Sequence, residues 1–162
     1  MFGFFKKKEA PKCEFIAPQT GTVVKLEEVP DPVFAEKMLG DGVATIPTDN
    51  KVYAPVSGVL ADVAETKHAY CITTDDGLDV LVHIGIDTVK LDGEGLKALV
   101  KTGDKVKAGD PIAEADLAFI QSKGYQIYTP VIITNIDAVE SFEANVGAAE
   151  GGKTVILTYK KK

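Results

Sequence analysis

Two histidines, His68 and His83, are the only ones in the chain, and they flank one turn signal, Asp75-Asp76-Gly77. Residues 69–74 read as a strand entering that turn and residues 78–84 as the strand returning from it, with Asp-Gly the usual dipeptide of a tight hairpin. The loop length decides where the two imidazoles go. A two-residue loop, Asp76-Gly77, makes His83 the diagonal neighbour of His68 on one face. A four-residue loop, 74–77, sets them directly opposite, with Cβ atoms roughly 5 Å apart. A three-residue loop sends them to opposite faces. Two of the three common hairpins therefore make a histidine pair. A neutral imidazole is nucleophilic and largely unprotonated near neutral pH. It can attack phosphorus and hold a phosphoryl group covalently. A second imidazole alongside can donate to the phosphate oxygens and stabilise their charge without a metal. Thr66, two residues before His68 and on the same strand face, is placed to fix the tautomer of that ring.

The returning strand must orient the pair. Val80, Val82 and Ile84 share one face, which the alternation assigns to the core, while Asp79, Leu81 and His83 share the other. His83 is therefore expected to point outward beside an apolar Leu81, on a surface suited to docking, with both histidines exposed.

The elements around this hairpin are short and extended. β-like runs recur near 13–17, 22–26, 42–46, 51–54, 58–65, 69–74, 78–84, 105–107, 111–115, 128–133 and 153–160. Brief helical turns are predicted at 33–38, 94–100 and 116–122, the last capped by Asp116. The 15 Gly, 8 Pro and absence of Trp fit many turns and few long helices. An all-β fold is expected, an antiparallel β-sandwich or barrel-sandwich with a few short helical turns. Ala17-Pro18-Gln19-Thr20-Gly21 and Ala54-Pro55-Val56-Ser57-Gly58 read as two similar hairpin corners, and 103–110 as a third. Residues 1–12 are expected to form a flexible lead-in and 13–162 a single domain. The Phe and Lys residues of that lead-in could touch an anionic membrane surface, although a frayed terminus is the simpler reading.

A net charge of −6 argues against nucleic acid, which needs a clustered basic face, and suits basic protein partners. Cys13 and Cys71 form no disulfide framework and are read as reduced residues of a cytoplasmic protein. No apolar run approaches the ~20 residues a membrane-spanning helix needs.

Leu81-Val82-His83-Ile84-Gly85-Ile86-Asp87-Thr88-Val89, with Leu91 and Gly93-Glu94-Gly95, closely resembles the phosphorylation-site signature of glucose-type enzyme IIA domains of the bacterial phosphotransferase system. Glu65-Thr66-Lys67-His68-Ala69-Tyr70 is similar to that family's second-histidine motif at the family's spacing. Val29-Pro30-Asp31-Pro32-Val33-Phe34-Ala35-Glu36-Lys37, Gly40-Asp41-Gly42, Thr129-Pro130-Val131 and the two Ala-Pro corners extend the likeness over nearly everything after residue 13. The resemblance implies a β-sandwich phosphotransferase component. His83 would be the phosphorylated nucleophile through Nε2, His68 the holder of the phosphate oxygens, and Thr66 the hydrogen-bond partner of His68. Val33, Phe34, Met38, Leu39, Leu81 and Val89 would form an apolar docking rim, with Asp31 and Asp87 reaching basic residues of a partner. The donor would be the phosphocarrier HPr and the acceptor a cysteine on the IIB domain of a sugar permease. The resemblance also allows regulatory binding when the protein is unphosphorylated. A monomer, no cofactor and no obligatory metal are expected, with zinc bridging to a partner carboxylate permitted.

Two rivals fit less well. A zinc hydrolase could use the histidine pair with Asp31 or Asp87, but H-x-x-x-H and a third histidine are absent. A biotinyl or lipoyl carrier needs a lysine at a hairpin tip, whereas Asp104-Lys105 lies before its turn.

Overall fold

The computed structural model describes residues 13–162, so the expected lead-in at 1–12 lies outside the described residues. In chain order the strands are β1 (Glu14–Ile16), β2 (Gly21–Lys25), β3 (Asp41–Pro47), β4 (Lys51–Tyr53), β5 (Gly58–Val63), β6 (Ala69–Thr73), β7 (Asp79–His83), β8 (Leu96–Ala98), β9 (Lys105–Val106), β10 (Pro111–Ala115), β11 (Thr129–Ile133), β12 (Val139–Ala144), β13 (Gly147–Ala149) and β14 (Val155–Lys161). Two short helices, α1 (Pro32–Ala35) and α2 (Leu117–Ser122), and 3-10 turns at Leu26–Glu28, Thr88–Leu91 and Ile136–Ala138 interrupt them. All strand pairings are antiparallel. The largest sheet runs β13-β2-β3-β11-β7-β6-β5-β9, and β1-β14-β12 and β4-β10-β8 form two smaller ones. The expected all-β sandwich is what the chain forms.

The main core lies where the inner face of the large sheet meets the smaller sheets. Val23, Val43, Val131, Val82, Ile72 and Leu60 from the large sheet pack with Phe15 and Leu157 from one small sheet and Val52 and Ile112 from the other. The outer face of the same large sheet carries a second, smaller cluster. Val24, Ala44 and Ile132 pack there against Leu26, Val29, Phe34 and Ile86, with Leu81 half-buried beside them. Strand β11 serves both clusters and is buried along its whole length, which explains its unbroken apolar run Val131-Ile132-Ile133.

The predicted strands are present, with three differences. Residues 94–100 are not helical: Gly93 and Gly95 adopt φ values of 90° and 78°, which an α-helix cannot accommodate, and β8 pairs with β10 instead. Strands β12 and β13 were not expected, because Val139–Ala144 is polar on its exposed side and β13 is small and Gly-Ala rich. Asp116 does cap α2, its carboxylate accepting from Phe119 N at 3.1 Å. The two Ala-Pro corners lean on each other, with Ile16 N donating to Pro55 O at 2.8 Å and Tyr53 N to Pro18 O at 2.7 Å. No disulfide joins Cys13 and Cys71. Among the described residues no helix is long and apolar enough to cross a membrane.

The tip of the β6–β7 hairpin is tied down by side chains distant in sequence. Asp76 accepts from the Thr74 hydroxyl and from Tyr159 Oη on β14, the latter at 2.7 Å. Asn135 donates to Gly77 O and accepts from Asp79 N, both at 2.8 Å. Asp76→Ala leaves the buried Tyr159 hydroxyl without this partner and should lower stability by about 2 kcal/mol. Urea denaturation reads this directly, and an unchanged midpoint would contradict the role given to Asp76.

Candidate functional site

His83 ends β7 with its ring on the face away from the main core. Two residues on, Gly85 takes a φ of 76°, and its carbonyl turns back to lie 2.7 Å from His83 Nδ1. A carbonyl oxygen can only accept, so Nδ1 carries the proton in this contact. In the neutral ring the free lone pair is then on Nε2.

His68 reaches the site by a route that strand pairing does not provide. The hairpin has the three-residue loop 75–77, closed by Thr74 and Leu78, and pairs Ala69 with His83. Continued alternation in that register would aim His68 at the core. The strand, however, begins only at Ala69. Residues 64–69 form a turn in which Ala64 N donates to Ala69 O at 3.0 Å and Lys67 N to Ala64 O at 2.8 Å, with Lys67 at φ 64°. This bend carries the His68 ring to that of His83, with centroids 5.0 Å apart and planes at 82°. Thr66 lies in the turn and not on the strand face expected for it. Its Oγ1 is 2.8 Å from His68 Nδ1 all the same.

The surroundings differ from the expected open surface. His68 is 9% exposed and His83 is partly covered, so the expectation of two exposed imidazoles is corrected. Phe34 is responsible for part of this cover. Asp31 caps α1 by accepting from Val33 N at 2.8 Å and Pro32 opens the helix, which turns Phe34 inward onto the outer-face cluster. The Phe34 ring stands 5.0 Å from that of His83 at 58° and is only 5% exposed. Phe34 is therefore a wall behind the histidine, not part of an exposed rim. Val33, Met38, Leu39 and Val89 are the large apolar side chains left exposed nearby in sequence, while Leu81 is half-buried. Asp87 is exposed and Asp31 partly so. Both carboxylates act electrostatically on His83. Among the described residues no three His, Cys, Asp or Glu side chains gather as a metal-ligand set.

Burial decides the protonation state. It pushes His68 down to about 4, and the facing His83 adds to the shift. Burial also lowers His83, against an upward pull from the Gly85 carbonyl, Asp31 and Asp87. Desolvation penalises the charged ring more than the carboxylates reward it, so both rings are neutral at pH 7. Gly85 had not been singled out for a role of its own. A glycine directly after a strand-ending histidine, between two isoleucines, was the available signal.

The family model of the phosphoenolpyruvate-dependent sugar phosphotransferase system, EIIA 1, matches residues 13–139, which include Thr66, His68, His83 and Gly85. The chain belongs to this family. Curated relatives of this EIIA protein include the PTS system glucose-specific EIIA component of Buchnera aphidicola, 44% identical over 96% of this chain and 94% of the relative. The component of the same name from Bacillus cereus is 47% identical over 91% of this chain and 90% of the relative. Among solved structures, the glucose permease IIA of Mycoplasma capricolum superposes with a TM-score of 0.85 at 39% identity, covering 96% of this chain and 99% of that one. The EIIA protein is thus a component of a sugar phosphotransferase system with the sandwich fold of its relatives.

The buried, neutral pair has a measurable consequence. The unfolded chain takes up protons near the ordinary histidine value of ~6.5, whereas folded His68 waits until about 4. Stability contributed by the neutral pair should be complete above pH ~6.5 and fall as the pH drops toward 4. Histidine ring proton titrations followed by NMR should give midpoints below 6.5 for both residues, with His68 the lower. Two unshifted midpoints would contradict this picture of the site.

Proposed function

We propose that this EIIA protein is a phosphoryl carrier that takes its phosphate from phosphohistidine on HPr onto His83 Nε2 and delivers it to a cysteine of the IIB domain of a sugar permease. The observation that carries this reading is the His83 Nδ1–Gly85 carbonyl contact of 2.7 Å, made beside a second imidazole. It commits the proton to Nδ1 and leaves Nε2 as the nucleophile.

In the loading step the Nε2 lone pair attacks phosphorus. The new N–P bond forms as the bond from phosphorus to the donor imidazole breaks, and the electron pair returns to the donor ring. In delivery a cysteine thiolate attacks phosphorus, an S–P bond forms, and Nε2 recovers its lone pair. The transfer consumes no ATP. His68 supports the charge. With the Thr66 hydroxyl donating to its Nδ1, the His68 proton sits on Nε2 and is available to a phosphate oxygen. Rings 5.0 Å apart lie within reach of one phosphoryl group. Phe34, packed on His83, holds the ring and limits water, which suits a phosphoramidate that must survive between partners.

Docking falls to the exposed Val33, Met38, Leu39 and Val89, together with half-buried Leu81. Asp31 and Asp87 supply charge for basic partner residues. A small interface suits a carrier that must leave each partner quickly. The protein acts in the cytoplasm, where HPr and the permease domains meet it.

Phosphate transferred from phosphoenolpyruvate through enzyme I and HPr tests the assignment. His83→Ala should take up no acid-labile label, and labelling at the wild-type rate would contradict the site. His68→Gln should still label but pass phosphate to the IIB cysteine at least about a hundredfold more slowly. Undiminished delivery would remove His68 from the transfer step.

A further inference from the structure

The peptide that precedes the carbonyl orienting His83 is held by a residue outside the histidine pair. Thr88 opens the 3-10 turn after the site and is completely buried. Its hydroxyl donates to Ile84 O. Its methyl carbon lies under Gly85, so that a Cβ placed on Gly85 would come within 2.5 Å of it. The Ile84 carbonyl and the Gly85 amide belong to one rigid peptide plane. Fixing the Ile84 oxygen therefore fixes that plane. The Gly85 carbonyl, which accepts from His83 Nδ1, follows from it through a single residue. Ile86 N, bonded to Gln126 O at 3.0 Å, fixes the far side of the same residue.

We propose that Thr88 is a positioning residue for phosphoryl transfer, its buried hydroxyl anchoring the Ile84–Gly85 peptide so that the Gly85 carbonyl holds His83 as the Nδ1–H tautomer. The inference rests on the carrier function proposed above and deepens it. Without the hydroxyl the Ile84 oxygen loses one of the two anchors that flank Gly85, the residue relaxes about the remaining Ile86 N–Gln126 O bond, and the hold of the Gly85 carbonyl on Nδ1 weakens. The proton then distributes between both ring nitrogens, and the fraction of His83 with a free Nε2 lone pair drops.

The test compares Thr88→Val, which keeps shape and methyl but removes the hydroxyl, with Thr88→Ser, which keeps the hydroxyl. Ring nitrogen shifts of 15N-histidine protein report the tautomer in the unphosphorylated chain. Wild type and Thr88→Ser should show a protonated Nδ1, and Thr88→Val a mixture of tautomers. Phosphate uptake from phospho-HPr should slow about tenfold in Thr88→Val with KM for phospho-HPr unchanged, as for a misaligned reacting group. A folded Thr88→Val with the wild-type tautomer overturns the proposal whatever its rate. Should that variant not fold, Thr88→Ala asks the same question, and a wild-type tautomer there overturns it equally. If wild-type protein takes up no phosphate, the carrier function falls, while the tautomer comparison still decides the role of Thr88.

Discussion

A hydrogen bond from His83 Nδ1 to the carbonyl two residues later is the constraint on which the proposed chemistry depends. An imidazole free to exchange tautomers presents either nitrogen, whereas one tied to a carbonyl presents only Nε2. The contact requires a chain that reverses immediately after the strand. Gly85 supplies the left-handed φ of 76°, and a side chain there would strike Thr88. The rest of the sandwich holds β7 rigid up to that point, through β11 on one side and β6 on the other.

The site lies at the junction of two cores. The main cluster fixes the strand through Val80, Val82 and Ile84. The outer cluster, which includes Leu26 and Ile86, sets the Phe34 ring against His83. This second core explains why an outward-facing histidine has a lowered proton affinity despite two carboxylates acting on it: burial is the larger effect. The balance suits a carrier. A neutral ring is a nucleophile, and in the proposed function the acidic residues beside it would attract basic partners without keeping it protonated.

Much of this was legible in the sequence. The two histidines, the Asp-Gly turn and the alternation of Val80, Val82 and Ile84 pointed to the hairpin and to the outward face of His83. The pairing of the rings was expected for the wrong reason. It was tied to two- or four-residue loops, whereas the chain uses a three-residue loop and brings His68 in through the Ala64–Ala69 turn. Alternation rules stop where a strand stops, and a left-handed Lys67 leaves no periodic trace. Phe34 was misplaced for a related reason. Asp31-Pro32 announces a helix start, but which face of a one-turn helix is buried depends on the apolar surface beneath it, and that surface is a second cluster assembled from β2, β3 and β11. Helical spacing at 94–100 was overridden by two glycines with positive φ and by pairing to β10.

The identity of the phosphorylated atom tests the account most directly. In protein labelled with 15N-histidine and phosphorylated through HPr, phosphorus–nitrogen coupling should place the phosphate on Nε2 of His83, with Nδ1 still protonated against the Gly85 carbonyl. Phosphate found on Nδ1 of His83, or on His68, would contradict it.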